Sequence, residues 1–163
     1  MKIAYRYRRL RSMYSQRNIL LLLSREETNE RNEVLRQTNE LTGGWLFTAR
    51  EAVRVASQSG CVNVLVSNGQ LIPTLAKLVL YGLAPFFEVD HVYSSAQKGK
   101  YWCLQQIVNR FGDQCNYHVI GDGLEEQRVS EKLNYSFTRI KSVADLQSLV
   151  TVFQKSFAQT DRQ

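Results

Sequence analysis

Long apolar runs are absent from this sequence of 163 residues. The strongest run, residues 19–23, is far shorter than the roughly 20 apolar residues that a membrane-spanning helix needs. The basic amino terminus also lacks the apolar segment and the cleavage site of a secretory signal. We therefore expect a soluble protein that makes no contact with a membrane.

Cysteine is scarce, and its spacing excludes several classes of protein. Cys61, Cys103 and Cys115 are an odd number and form no Cys-x-x-Cys or Cys/His metal motif. Because each lies among apolar residues, we interpret all three as reduced core thiols of a cytosolic or nuclear protein.

Acidic residues are missing from the amino-terminal segment, although the whole chain carries a formal net charge of +6. All charged side chains in the first 25 residues are basic, so the excess charge belongs to the first predicted helix. This asymmetry permits a nucleic-acid or an acidic protein partner. A solvated helix face is the favoured interpretation, because no aromatic-lined groove or zinc-finger spacing accompanies the charge. Direct binding to DNA is therefore not expected.

The first third of the chain has helical periodicity. Residues 4–23 place apolar side chains at helical spacing, and Ser24 with Glu27 predicts a capping box that opens a second helix through Glu40. Residues 45–57 predict a third helix. We predict that residues 1–60 form a helical bundle.

From Cys61 onward, short apolar runs alternate with helical segments. The predicted strands are residues 62–66, 89–93, 117–120 and 137–140, and the helices that follow them are residues 72–81, 100–111, 124–134 and 142–157. This alternation predicts an α/β domain over residues 61–163, in which helices cover both faces of a three-layer parallel sheet. Ser142 and Asp145 predict a further capping box.

Polar side chains follow three of the predicted strands. Ser67 follows the first strand, Lys100 lies in the loop region after the second, and Asp122 follows the third. A hydroxyl, an ammonium and a carboxylate at neighbouring strand ends are the groups of a magnesium-dependent phosphoryl-transfer site. The alternatives are a simple turn at residues 67–69 and solvated lysines. A Lys in the first turn of a helix opposes the helix dipole, which favours a nearby anion at Lys100.

Asp122 allows two interpretations of equal weight. Gly121 and Gly123 flank it, so the backbone can approach a cation or a phosphate closely. Asp122 could instead be the N-cap of the next helix, in which Glu125 and Glu126 complement the dipole.

These residues lie in segments that resemble a known family. The stretches VNVLVSNGQLIPTLAKLVLYGL, VYSSAQKGKYWC and VIGDGLEEQ are similar to the carboxyl-terminal domain of the Eyes absent proteins, and IAYRYRRLRSMY resembles its helical part. The resemblance spans nearly the whole chain. It implies a haloacid dehalogenase-type fold of the Rossmann-like class, with the helical bundle as an insertion.

The resemblance also implies a function and its residues. Members of the family are Mg²⁺-dependent protein tyrosine phosphatases and transcriptional co-activators in development, found in the nucleus and the cytoplasm, that bind Six-type homeodomain proteins. By position, Ser67 and Lys100 would bind phosphate, and Asp122 would be a metal ligand. Glu126 would orient a metal-bound water.

One motif of the family has no counterpart here. The family's nucleophile belongs to an Asp-x-Asp at the end of a central strand, whereas none of the five aspartates of this chain forms Asp-x-Asp. We expect the chain to start inside the helical insertion and the missing strand to lie between residues 62–66 and 117–120. Those strands would then have open edges or pair with each other. Two hypotheses remain: part of a phosphatase that is inactive by itself, or a non-catalytic module that binds a homeodomain partner.

Overall fold

The computed structural model describes residues 2–15 and 23–160, in which helices alternate with short parallel strands. The helices are α1 (Lys2–Ser15), α2 (Arg25–Leu41), α3 (Trp45–Gln58), α4 (Leu71–Leu80), α5 (Gly99–Phe111), α6 (Leu124–Lys132) and α7 (Val143–Thr160). The strands are β1 (Leu65–Ser67), β2 (Val92–Ser94), β3 (His118–Gly121) and β4 (Ser136–Arg139). Two short 3-10 helices, Ala84–Phe86 and Val89–His91, lie between α4 and β2. The predicted α/β class is confirmed, while part of the first predicted helix, residues 16–22, lies outside the described residues.

Two helices begin at the capping boxes that the sequence predicts. At α2, the amide of Glu27 donates to Ser24 Oγ over 3.1 Å, and the amide of Ser24 donates to Glu27 Oε2 over 2.7 Å. At α7, the amide of Asp145 donates to Ser142 Oγ over 3.2 Å, and the amide of Ser142 donates to Asp145 Oδ2 over 2.8 Å. Both boxes are confirmed. No helix in the described ranges is long and apolar enough to cross a membrane.

The four strands form two separate parallel pairs. Leu65 of β1 lies opposite Val92 of β2, and His118 of β3 lies opposite Ser136 of β4. Parallel pairing is thus confirmed, but a single four-stranded sheet is absent from the described part of the chain. There, β1 and β3 each have one partner and do not pair with each other. The sequence left two arrangements open for these strands, open edges or pairing with each other. The structure has open edges.

The first two strands start three residues later than the sequence predicts. Before β1, the side-chain amide of Asn63 donates to the carbonyl oxygens of Val53, at 2.9 Å, and Phe86, at 3.3 Å. These bonds tie the segment to α3 and to the first 3-10 helix. Before β2, residues 89–91 form the second 3-10 helix. The first residues of both predicted strands therefore bond outside the strand pair, Asn63 to other segments and residues 89–91 within a 3-10 helix.

Two buried clusters join elements of the described fold. One contains residues of α4, of β2 and of the segment between them: Leu75, Leu78, Val79, Phe87 and Val92. Tyr7 of α1 packs against this first cluster. The other joins α3 and α7 through Ala52, Ile140, Leu146 and Leu149. Helices from the first third of the chain thus contribute to both clusters, and the division at residue 60 stays a prediction.

The interpretation of all three cysteines as core thiols is wrong for two of them. Cys103 is buried, but Cys61 and Cys115 are exposed. Cys61 belongs to the turn that ends α3, where its amide donates to the carbonyl of Ala56. Cys115 belongs to the turn after α5. Apolar neighbours in sequence therefore do not bury these thiols, because both lie in surface turns.

Candidate functional site

β1 and β2 end side by side, at Ser67 and Ser94. The amide of Ser95 donates to the carbonyl of Ser67 over 2.8 Å, which extends the contact beyond the strands. The Ser67 hydroxyl oxygen accepts the amide of Gly69 over 3.1 Å. The chain therefore turns at residues 67–69, as one of the two interpretations predicted. The same turn fixes the position of the Ser67 hydroxyl at the strand end.

The loop after β1 is anchored to the loop after β2 by two further hydroxyl groups. Ser94 Oγ donates to the carbonyl of Gly69 over 2.8 Å, and Ser95 Oγ donates to Asn68 Oδ1 over 2.6 Å. Ser95 is only 3% exposed. These bonds join the two loops beside Ser67, as a site that positions a ligand requires.

Lys100 lies in the first turn of α5 and is largely buried, with 14% of its side chain exposed. Its ammonium group donates to Glu126 Oε1 and lies 3.1 Å from Glu125 Oε2. Both carboxylates belong to the first turn of α6. The interpretation of Lys100 as a solvated charge is therefore wrong. Two carboxylates from the neighbouring helix offset the charge that opposes the dipole of α5.

The ion pair shifts the pKa values of both partners. Burial lowers the pKa of Lys100, but the hydrogen bonds to Glu126 and Glu125 outweigh burial and hold that pKa above its ordinary value. Burial raises the pKa of Glu126, but the hydrogen bond and positive charge of Lys100, together with nearby backbone amides, outweigh burial and hold the pKa below its ordinary value. Both groups are therefore charged near neutral pH, and the ion pair holds the Lys100 ammonium in place.

Asp122 does not cap α6. The N-cap is Gly123, and no side chain caps the helix. Asp122 is exposed on the segment between β3 and α6, and it makes no hydrogen bond or ion pair within residues 2–15 and 23–160. Of the two interpretations of Asp122, the N-cap is thus wrong. Its carboxylate is free to meet a ligand.

Glu126 folds back over the two glycines that flank Asp122. A Cβ on Gly123 would lie 2.2 Å from Glu126 Oε2, and one on Gly121 would lie 3.0 Å from Glu126 Cγ. Only glycine at position 123 leaves room for this carboxylate, because atoms do not approach so closely without a bond. Glu126 Oε2 is buried and has no hydrogen-bond partner.

The carboxylates around this loop are suited in part to a divalent cation. The buried, unpartnered oxygen of Glu126 is an atom that a cation or a water would satisfy. Mg²⁺ usually binds one or two carboxylates, with waters and phosphate oxygens as its other ligands. Asp122 and Glu126 match that need, although the described residues contain no cluster of three or more metal-binding side chains.

The contacts link the three predicted residues without joining them directly. Lys100 pairs with Glu126, and Glu126 covers the glycines beside Asp122. On the other side, the amide of Gly99 donates to the carbonyl of Ser95, whose own amide donates to Ser67. One site that contains Ser67, Lys100 and Asp122 stays a prediction, supported by these continuous contacts.

Sequence reasoning missed two parts of this arrangement. It gave no role to Ser94 and Ser95, which fasten the loop after β2 to the loop after β1. It also assigned Glu125 and Glu126 to the dipole of their own helix rather than to Lys100. Opposite charges in the first turns of two helices that follow parallel strands would have signalled this pair.

Known proteins with similar sequences share this region. The chain is 38% identical to human protein phosphatase EYA3 over 159 residues, which cover 96% of this chain and 28% of the human protein. It is 39% identical to the chicken protein phosphatase EYA3 over 114 residues, which cover 68% of this chain and 96% of the chicken sequence. The chain belongs to the Eyes absent family of protein phosphatases. No model of a protein family matches it.

The Eyes absent similarity extends to insects, but it covers only part of the human and fly proteins. Protein phosphatase eya of Drosophila melanogaster is 35% identical over 159 residues, which cover 21% of that protein. The chain thus spans less than a third of the length of the human and fly relatives. These relatives are all named protein phosphatases, which makes phosphatase chemistry the activity to consider for this family. It assigns no role to a residue of this chain.

Proposed function

We propose that the chain is part of a Mg²⁺-dependent protein tyrosine phosphatase of the Eyes absent type. The observation that carries the proposal is the largely buried Lys100 ammonium, held at the start of α5 beside the loop of Asp122. A buried, charged lysine next to a glycine-flanked carboxylate is what binding of a phosphate together with a metal requires.

Each residue of the proposed site has a distinct role. Lys100 and the Ser67 hydroxyl hold phosphate oxygens, which positions phosphorus and offsets its charge. Asp122 holds Mg²⁺, and Glu126 orients a water on it or binds it through its unpartnered oxygen. Bound Mg²⁺ would supply a positive charge that stabilises the transferring phosphoryl group. Because Glu126 also pairs with Lys100, phosphate must share that ammonium with it.

The two open strand edges support the haloacid dehalogenase-type, three-layer arrangement. One additional parallel strand between β1 and β3 would join the two pairs into a single five-stranded sheet, in the order β2, β1, added strand, β3, β4. A residue at the carboxyl end of that strand would lie beside both Ser67 and Asp122. The family's Asp-x-Asp belongs at that position.

Without that strand, the chain lacks the group that attacks phosphorus. In the proposed reaction, an aspartate oxygen forms a bond to phosphorus as the bond to the tyrosine oxygen breaks, and the second aspartate protonates the leaving phenolate. Water then attacks phosphorus, releases inorganic phosphate and regenerates the carboxylate. None of the five aspartates of this chain can supply the pair.

We expect the chain by itself to show no phosphotyrosine hydrolysis. Binding a phosphate does not replace the covalent step, so the purified chain with Mg²⁺ and a phosphotyrosine peptide should release phosphate no faster than its Asp122→Asn variant. Phosphate release measures the outcome. Turnover clearly above that of the variant would require another nucleophile and would contradict the assignment.

The absence of Asp-x-Asp favours a second candidate function, a non-catalytic interaction module. In this case the helices α1 to α3 would bind a Six-type homeodomain protein in the nucleus, and the chain would act as a transcriptional co-activator without hydrolysis. The phosphatase and the interaction module are both compatible with a location in the cytoplasm as well as in the nucleus. Co-purification with a homeodomain protein, together with inactivity of every form that contains Asp-x-Asp, would favour the module over the enzyme.

A further inference from the structure

Two arginines from different helices meet at the carboxyl end of α4. A Cβ on Gly82, in the turn after α4, would lie 3.4 Å from Arg31 Nη2 and 3.4 Å from Arg50 Cζ. Arg31 belongs to α2 and Arg50 to α3, and both side chains are half-buried. The two guanidinium groups therefore lie against the same few backbone atoms.

Only one of the two arginines is accounted for by the fold. Arg31 Nε donates to the carbonyl of Leu80 over 2.8 Å, and Arg31 Nη2 lies 3.5 Å from the carbonyl oxygen of Val79. Arg31 thus caps the last turn of α4, where the helix dipole favours a cation. Arg50 makes no hydrogen bond and no ion pair with any residue in the described ranges.

Like charges held together in this way repel each other. Burial lowers the pKa of Arg31, and the positive charge of Arg50 lowers it further. The described part of the chain brings no carboxylate within ion-pair distance of either guanidinium. An anion bound between the two would remove the repulsion, and two planar guanidinium groups bind carboxylates through paired hydrogen bonds.

Two exposed apolar or aromatic residues lie at the end of α4, in the segment that the arginines contact. Leu80 is 51% exposed and Tyr81 is 40% exposed, and both lie in the segment that Arg31 contacts. Arginine, tyrosine and apolar side chains around one point are the composition of a protein interface. A free inorganic anion would leave the apolar groups in water, whereas a peptide would cover them.

We propose that Arg31, Arg50, Leu80 and Tyr81 form a docking surface for an acidic segment of a partner protein. Carboxylates of that segment bind the two guanidinium groups, and its apolar side chains contact Leu80 and Tyr81. Because α4 is ten residues long, this paired-arginine surface lies about 15 Å from the loop that holds Ser67. The docking surface is thus separate from the proposed phosphatase site and does not depend on it.

The test uses fluorescence anisotropy with a labelled peptide of alternating Glu and Leu residues. We expect the 163-residue chain to bind this peptide, with an affinity that falls as salt is added. A matched peptide with Gln in place of Glu should bind at least about tenfold more weakly, because it cannot form charge-assisted hydrogen bonds. Equal binding of both peptides, or no binding of the acidic one, would overturn the proposal.

Variants locate the bound peptide. Arg50→Gln should weaken binding at least about tenfold, and Arg50→Lys about threefold because it keeps the charge but loses the planar fork. Arg54→Gln is the matched control on the same helix, since Arg54 is already paired with Glu51, and Arg8→Gln is the control for the basic helix α1. Both controls should change binding less than about twofold.

Circular dichroism melting confirms that each variant is folded. If Arg50→Gln is unfolded, the comparison of Arg50→Lys with Arg54→Gln decides instead. If either control variant loses as much affinity for the peptide as the Arg50 variants do, the peptide binds elsewhere and the proposal is contradicted.

Discussion

Phosphotyrosine hydrolysis should increase by at least about 10²-fold when the chain is extended at its amino terminus by an apolar strand that ends in Asp-x-Asp. The added strand would pair with the free edges of β1 and β3, each of which has one partner strand in the described structure. Its first aspartate would be the nucleophile and its second the general acid. The rate of phosphate release from a phosphotyrosine peptide with Mg²⁺ measures the effect.

Two lysines at the start of α5 provide a matched control for this gain. In the extended protein, Lys100→Met should lower kcat about 10²-fold or more, because it removes a preorganised charge from the transferring phosphoryl group. Lys98 is exposed and its ammonium stacks over Trp102 at 4.4 Å, so Lys98→Met should change kcat less than about threefold. Equal losses would show that the lysines act through general charge rather than through a site.

Leu75→Ala should destabilise the chain more than any other single truncation on α4. Leu75 is fully buried in the cluster that joins α4 to β2, so the smaller side chain leaves a cavity. The expected loss is about 2–5 kcal/mol in the free energy of unfolding. The midpoint of urea unfolding measures this loss, provided that the transition is two-state.

The matched control is Leu80→Ala on the same helix. Leu80 is half exposed, so its replacement by Ala should lower the free energy of unfolding by only about 0.5 kcal/mol. A loss at position 80 as large as that at position 75 would contradict the packing of α4 described above.

Helices were predictable from the sequence because their signals are local. Ser24 and Ser142 each have an acidic residue three positions later, and each box forms as predicted. The starts of β1 and β2 were less predictable, since Asn63 and the 3-10 turn at residues 89–91 are fixed by partners distant in sequence or by loop geometry. The prediction that Cys61 and Cys115 are buried was wrong for a related reason. A surface turn exposes a thiol even when its neighbours in sequence are apolar.

The positions of the candidate site residues were predictable, but the contacts between their side chains were not. The rule that polar groups gather at the carboxyl ends of parallel strands selected Ser67, Lys100 and Asp122. The pairing of Lys100 with Glu126 requires the relative placement of α5 and α6, which no local pattern encodes. The same holds for the contact of Arg31 with Arg50, which depends on three helices.

The central claim is that Ser67 and Lys100 hold one phosphate, and a phosphate titration followed by NMR tests it most directly. With Mg²⁺ present, the Ser67 amide and the Lys100 ammonium resonances should shift together, with one common dissociation constant of about 1 mM, while Lys98 stays unchanged. Different constants for Ser67 and Lys100, or no shift of either, would contradict the account.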